Sequence, residues 1–430
     1  MRSRTPKVLH PIAGRPMIDF VLDSCRAAGI EDVFVVVNPA QPAVIEHVRG
    51  RCEVVLQDEQ KGTGHALAQV PAARLAHRDV LVINADSPLI RPETIRRLYQ
   101  AHRSSAACAT LASVEDPTRR DGRIIRGPDG AFDRIVEAKD AGEAEEQVYE
   151  VNVGLYCFRG SELLAALGRL RPGNRAGELY LTDVFQHLRP VTVLRLADAG
   201  EAIGINDRVE LARAESLVRA RVLEELMRGG VTVVDPQSCF VDPGVEVGED
   251  TVIEPFTILR GKTVVGRDCR VGPFTQVVDS VIGERCHIEV AWLRDCRVGD
   301  GSDCGPFSKL RPGAEIAADV HVGSFAEVVR SRVGSHSAIP HFSYVGDAVI
   351  GENVNIGAGT VTVNYDGKSK HRTEIGDGAF IGSDTMLRAP VKVGRGSRTG
   401  AGSVVTKDVP DGETAVGVPA RVLRRRTEDR

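Results

Sequence analysis

Ile350-Gly351-Glu352-Asn353-Val354-Asn355-Ile356-Gly357 carries two aliphatic-glycine pairs six residues apart. The same step separates Val265-Gly266 from Val271-Gly272 and Ile375-Gly376 from Ile381-Gly382, and from about Val247 to Val405 such pairs return at six-residue steps or multiples of them. A period of six is neither the helical repeat nor the two-residue alternation of a strand, so it describes a larger unit. In a parallel β-helix each step is one short strand and a corner, and three steps close a triangular coil, as from Gly248 to Gly266. The aliphatic residue is expected to point into the prism and stack on its equivalents in neighbouring coils. The glycine beside it is expected to permit a tight corner through unusual backbone dihedrals.

The rest of the chain is bounded by its composition. At 430 residues it exceeds one ordinary core, so two or three domains are expected. Its 55 basic and 59 acidic residues leave a net charge of -4, without the basic excess of a nucleic-acid binder. No apolar run is long enough for a membrane span and no signal-like segment comes after the polar start, which predicts a soluble cytosolic protein. Nine cysteines from Cys25 to Cys304 have no Cys-x-x-Cys spacing, which predicts reduced thiols rather than disulfides or a cysteine metal site.

From Met1 to about Asn206, apolar strand-like runs alternate with helical ones, the pattern of an α/β domain with a mostly parallel sheet. Val33 to Val37 and Val80 to Ile83 read as strands, and Met17 to Ala28 and Pro92 to His102 as helices. Ligands of such folds bind at the carboxyl ends of strands, and the run ending at Ile83 leads into Asn84-Ala85-Asp86-Ser87-Pro88. A plain turn explains Asp-Ser-Pro equally well. The domain should open with a strand and a glycine-rich phosphate-binding turn, yet the chain begins Met1-Arg2-Ser3-Arg4-Thr5-Pro6-Lys7, so the first strand is expected to be missing. Residues 207–229 read as a connecting helix, capped by Asn206 or Asp207 and ended by Gly229-Gly230. Residues 230–420 form the β-helix, and 421–430 a charged solvated tail.

Pro6-Lys7-Val8-Leu9-His10, Gly14-Arg15-Pro16-Met17 and Leu56-Gln57-Asp58-Glu59-Gln60-Lys61-Gly62-Thr63-Gly64-His65-Ala66 resemble the sugar-phosphate nucleotidyltransferases. The β-helix adds Leu310-Arg311-Pro312-Gly313, Asn353-Val354-Asn355-Ile356-Gly357-Ala358-Gly359-Thr360 and Asn364-Tyr365-Asp366-Gly367. With both halves in place, the chain resembles over essentially its whole length the bacterial family of bifunctional N-acetylglucosamine-1-phosphate uridyltransferase/glucosamine-1-phosphate N-acetyltransferases.

The resemblance implies a nucleotidyltransferase (Rossmann-like) α/β domain followed by a left-handed parallel β-helix, working as a cytoplasmic homotrimer with acetyl-transfer sites between neighbouring β-helices. The first domain is expected to join UTP to N-acetylglucosamine 1-phosphate with Mg2+, a reaction that needs cations on crowded phosphates more than a strong base. By correspondence with the family's motifs, Lys7 contacts phosphate, Gln57, Gly62 and Thr63 hold the uracil, Asp86 and Asn206 ligate the metal, and Gly122, Glu137 and Asn152 contact the acetamido sugar. The family's opening loop ends Gly-Thr-Arg-Met, and Met1-Arg2-Ser3 aligns with the residues just after its arginine, so a start assigned at an internal methionine is expected.

The second domain is expected to move acetyl from acetyl-CoA to glucosamine 1-phosphate. His341 matches the base that takes the ammonium proton, and Glu327 a carboxylate near it. Arg311, Tyr344, Asn355 and Lys370 match the sugar-phosphate contacts, and Ala358, Asn364, Tyr365, Ser383 and Ala401 the acetyl-CoA groove. Two positions depart from the family. Val329 replaces a phosphate-binding lysine, with Arg330 beside it on what should be the opposite side of a strand, and Val418 stands about where the family has an arginine for the CoA. The rival readings are an acetyltransferase alone, a nucleotidyltransferase on a structural β-helix, and a non-catalytic protein. His341, Asn364 and Tyr365 count against a purely structural β-helix.

Overall fold

The computed structural model describes residues 1–172 and 177–423, so the charged tail from Arg424 lies outside the described residues. It divides into two compact units, Met1–Val218 and Arg219–Arg430, with the division inside the helix Arg208–Arg228. Asp207 caps that helix, its Oδ1 accepting from the amides of Val209 and Glu210 at 2.8 Å each. Gly230, at φ +94°, ends it.

In the first unit the runs predicted as helices form Met17–Ala27 and Pro92–Ser104, and the predicted strands form Phe34–Val37 and Asp79–Ile83. The main sheet has six strands, and Asp79–Ile83, Ala109–Glu115, Arg123–Arg126 and Val191–Arg195 run the same way. Glu150–Arg159 runs against them from the middle of the sheet, so the ladders it makes are antiparallel. From Val153 to Phe158 that strand is buried throughout, because both faces of the sheet are covered. One of those faces packs Phe132, Tyr156, Phe158 and Phe185 together at ring separations of 5.4 to 5.8 Å. Asp79–Ile83 delivers the Asn84–Asp86 loop at its carboxyl end, where the sequence pattern puts a ligand site.

The second unit is a left-handed parallel β-helix whose strands of mostly two or three residues stack into three sheets of twelve, ten and nine strands. One interior column runs Val241, Leu259, Val277, Leu293, Leu310, Val328, Val345, each paired in register with the next and none more than 1% exposed. Burying each such side chain contributes about 1.5–3 kcal/mol before entropy is counted. Coil length drifts: Val247 pairs with Val265, Val265 with Ile282, and Ile282 with Val298. Ile350 pairs with Ile375, so this coil is longer than the others and throws out a loop from Asn364 to Arg372. Five of the nine free cysteines, Cys239, Cys269, Cys286, Cys296 and Cys304, are buried in this unit. No helix among the described residues is long and apolar enough to cross a membrane.

The reason for the recurrent glycine differs from the expected one. Gly266 has an ordinary backbone, but a Cβ there would stand 2.5 Å from the carbonyl oxygen of Gly283 in the next coil. Left-handed turns are taken by non-glycine corner residues such as Asp250, Phe256, Asp268 and Phe274, at φ 50 to 60°, and by glycines outside these pairs such as Gly396; of the quoted pairs only Gly272, at φ +107°, has the expected backbone. The aliphatic-glycine pair therefore marks where successive backbones touch. Leu293→Ala is expected to cost about 2–5 kcal/mol, and Gly266→Ala about 1–3 kcal/mol through overpacking. Gly396→Ala, at φ +62° with nothing within 4 Å, should cost about 1–2 kcal/mol from its backbone alone. Urea unfolding followed by circular dichroism measures all three, and no loss at position 266 would remove close approach as the explanation.

Candidate functional site

In the first unit, residues far apart in sequence meet at one cation. The Lys7 ammonium donates to Asp86 Oδ2 at 2.5 Å and to Asn206 Oδ1 at 3.0 Å. The Ile205 amide donates to the Asp86 carbonyl at 3.0 Å, which pins the Asn206 segment beside the Asp86 loop. A carboxylate oxygen and an amide oxygen already directed at one positive centre suit a hard divalent cation. Among the described residues no cluster of three or more His, Cys, Asp or Glu is set to hold a metal.

Two further groups form in the same unit. Gln57 Nε2 donates to the Gly62 carbonyl at 3.2 Å and meets His65 Nδ1 at 3.0 Å, while Thr63 Oγ1 accepts from the Leu181 amide at 3.0 Å. Gly62 requires its φ of +104°, and a Cβ there would lie 2.5 Å from the Leu179 carbonyl. Elsewhere the Asn152 amide donates to the Gly122 carbonyl at 2.8 Å, and a Cβ on Gly122 would stand 3.4 Å from Glu137 Oε2. Thr182 donates to Glu137 at 2.7 Å, and Asn152 Nδ2 donates to the Tyr156 hydroxyl at 2.6 Å. The supporting His65, Thr182 and Tyr156 were not singled out from the sequence. Of these, His65 alone lay inside a quoted motif.

On the β-helix, strand register puts His341, Ala358, Ser383 and Ala401 at the same corner of four successive coils. The corners are tied by the Gly359 amide to Phe342 O at 2.8 Å, Asp384 to Ala358 O at 2.6 Å and Gly402 to Ser383 O at 2.8 Å. His341 is exposed and no described residue hydrogen-bonds its imidazole. An acceptor-capable ring thus heads a column of three small residues along one edge of the prism, with Asn355 on the neighbouring face. Val418, the second departure, is 72% exposed.

A second group gathers on the adjoining face, where Glu327 pairs with Tyr344 in register. Arg311 Nη1 donates to Glu327 Oε1 at 2.7 Å, which ties the carboxylate to arginine rather than to His341. Asn364 Nδ2 donates to Asp347 Oδ2 at 2.5 Å, and Arg330 makes two bonds to the same carboxylate at 2.7 and 2.8 Å. The Arg330 guanidinium first, then the Asn364 amide, hold the Asp347 carboxyl below its ordinary range. Tyr365 turns its hydroxyl back to the Gly367 carbonyl at 2.7 Å, and a backbone bridge joins it to Lys370. Asp347 organises this group yet was not picked out from the sequence, because Gly-Asp is an ordinary turn pair.

The MobA-like NTP transferase domain family matches residues 1–190, and the bacterial transferase hexapeptide family (six repeats) matches residues 372–407. The bifunctional protein GlmU of Heliobacterium modesticaldum is 46% identical over 422 residues, 97% of this chain and 92% of the relative. That of Listeria monocytogenes is 44% identical over 426 residues, with the same coverage of 97% and 92%. A solved perosamine N-acetyltransferase from Caulobacter crescentus is 24% identical over 29% of this chain and 56% of its own, at a TM-score of 0.26.

Glu137 is the carboxyl in these groups that its surroundings favour in the protonated form. Burial raises its pKa, opposed by the hydrogen bond from Thr182. Because the unfolded chain gives up this proton first, the stability linked to protonated Glu137 is complete below the ordinary carboxylate range and is lost as pH rises through the raised value. Glu137→Gln keeps the acceptor for Thr182 without the charge. It is expected to melt above the parent at neutral pH and level with it near about pH 4, where both side chains are neutral. Thermal unfolding across that range tests this, and a constant gap at all pH values would count against it.

Proposed function

The chain belongs to the family of the bifunctional protein GlmU, and from that membership we propose that it makes UDP-N-acetylglucosamine by two successive transfers. Acetyl moves from acetyl-CoA to the amine of glucosamine 1-phosphate on the β-helix. N-acetylglucosamine 1-phosphate then attacks the α-phosphate of UTP in the first domain, releasing pyrophosphate. The observation that carries the reading is the corner column in which His341 heads the small residues Ala358, Ser383 and Ala401. A thin extended thioester fits along such an edge, with its acyl carbon beside the base that readies the amine.

In the acetyl transfer, His341 takes a proton from the ammonium so that a neutral amine attacks the thioester carbonyl, the C–S bond breaks, and CoA leaves as the thiol with a proton given up by the new amide nitrogen. Arg311, Tyr344, Asn355 and Lys370 orient the sugar phosphate, while Asn364 and Tyr365 line the thioester's path. Glu327 acts by fixing Arg311, since its oxygen is already engaged there. In the uridyl transfer, Gln57 offers a donor and an acceptor to uracil while Gly62 and Thr63 bring backbone against the base. Gly122, Glu137 and Asn152 take the acetamido sugar, and Lys7 moves from Asp86 to a phosphate oxygen. Asp86 and Asn206 would hold Mg2+, which neutralises charge building on the phosphates when bound.

The domain limits that go with this reading are 1–206 for nucleotidyl transfer, 207–229 for the connector and 230–420 for acetyl transfer, working in the cytoplasm. Assembly as a homotrimer through the β-helix is part of it. It is supported by outward-facing phenylalanines 54 to 64% exposed and stacked in pairs, Phe256 on Phe274 at 4.9 Å and Phe307 on Phe325 at 5.0 Å.

Two assays test the division of labour: acetyl-CoA consumption with glucosamine 1-phosphate, and pyrophosphate release with UTP and N-acetylglucosamine 1-phosphate. His341→Ala is expected to cut the first about 100- to 10,000-fold and leave the second unchanged. Equal loss of both would contradict the assignment. Chelating divalent cations should stop pyrophosphate release and spare acetylation, and the reverse pattern would overturn the roles given to Asp86 and Asn206.

A further inference from the structure

Val329 and Arg330 stand where the outer surface of the β-helix turns from one face to the next. Val328 fills the interior column, so alternation puts Val329 on the outer side. Even there it is only 1% exposed, a covered apolar residue that brings no charge to the surface. The next residue escapes strict alternation because the chain turns: Arg330 adopts φ +45° and carries its guanidinium outward. There it meets the Asp347 carboxylate and lies beside the Tyr344 phenol, within the cluster already described.

A cleft of about 480 Å³ opens at this point, lined by Arg330, Asp347, Lys370 and Arg372 together with the Glu315–Arg332 ion pair at 2.8 Å. Asp347 pairs with Arg330 and Glu315 with Arg332, while Lys370, in the field of Asp347, and Arg372 make no ion pair among the described residues, so the four cations exceed the two carboxylates by two charges. That excess matches the charge of a phosphate monoester. A planar guanidinium already making two parallel bonds to a carboxylate has the geometry to make them to phosphate.

We propose that Arg330, with Lys370 and Arg372, binds the phosphate of the amino-sugar 1-phosphate, supplying at the corner the charge that Val329 does not. This rests on the acetyl-transfer reading above. Arg330 exchanges Asp347 for the phosphate, and Asp347 keeps its bond from Asn364. Arg330 thereby sets specificity for a phosphorylated over a free amino sugar.

Initial rates on the full chain test this. Arg330→Ala should raise the KM for glucosamine 1-phosphate about 10- to 100-fold with little change in kcat or in the KM for acetyl-CoA. Arg330→Lys should fall between the two, and adding Val329→Lys to Arg330→Ala should recover part of the loss. A KM within about twofold of the parent in Arg330→Ala would overturn the proposal. Should the parent not acetylate at all, the functional reading fails separately. Calorimetric titration with glucosamine 1-phosphate then decides, since binding lost in Arg330→Ala upholds the role and equal binding overturns it. Melting temperatures of the variants matched to the parent identify lost binding as local.

Discussion

The second unit depends on how closely one coil can lie on the next. Strands of two or three residues have no stability alone, so each is held by parallel ladder bonds to the coil above and the coil below. Those ladders fix the spacing at about 4.8 Å, and at Gly248, Gly266 and Gly334 the backbones then come so near that a Cβ would lie 2.7 Å or less from an atom of the following coil. Interior hydroxyls reinforce the contact. Thr251, Ser302 and Ser337 each donate to a carbonyl in the following coil at 2.7 to 2.8 Å, which lets polar groups sit inside an aliphatic prism without a desolvation penalty.

A backbone so constrained sets out side chains at fixed intervals, and the candidate acetyl-transfer site uses that. His341 and the small corner residues behind it keep their line because each corner bonds the next. Among the described residues of the β-helix the largest break in the spacing is the loop from Asn364 to Arg372, in the coil between Ile350 and Ile375. Its ends are anchored, Asn364 on Asp347 and Thr373 by its amide on the Asp347 carbonyl at 3.2 Å, so it brings Lys370 to the outer face without loosening the prism. A rigid frame with one long anchored loop is a physical way to keep the candidate base His341, Arg330 and Lys370 in fixed places.

The architecture could be read from the sequence because a period of six leaves few alternatives, and the helices and strands at Met17, Phe34, Asp79 and Pro92 were legible from apolar pattern alone. The role of the glycines could not be read, since an inter-coil clash and a left-handed turn leave the same residue in the sequence. Lys7, Asp86 and Asn206 converge through tertiary folding across 79 and 199 positions, and no local pattern announces that. They were found by resemblance. Thr182, Tyr156 and Asp347 were missed for the related reason that they touch other side chains, and a supporting residue carries no motif of its own.

The candidate anion sites of both units share one electrostatic arrangement. Lys7 rests on Asp86, Arg311 on Glu327 and Arg330 on Asp347, and in each pair the cation is 37 to 40% exposed and the carboxylate 20 to 30%. Pairs as wet as these contribute only about 0–1 kcal/mol, so parting them costs little. Leaving the cations bare would be worse, because the sites also hold apolar surface and neighbouring positive charge, as Lys370 and Arg372 do beside Arg330. A resident carboxylate keeps each cation in place, and a phosphate, with more charge and three acceptor oxygens, is chemically able to take over the same donors. On the proposed reading an anionic substrate exchanges partners within a preset geometry, and Asp347, once Arg330 leaves it, keeps its bond from Asn364.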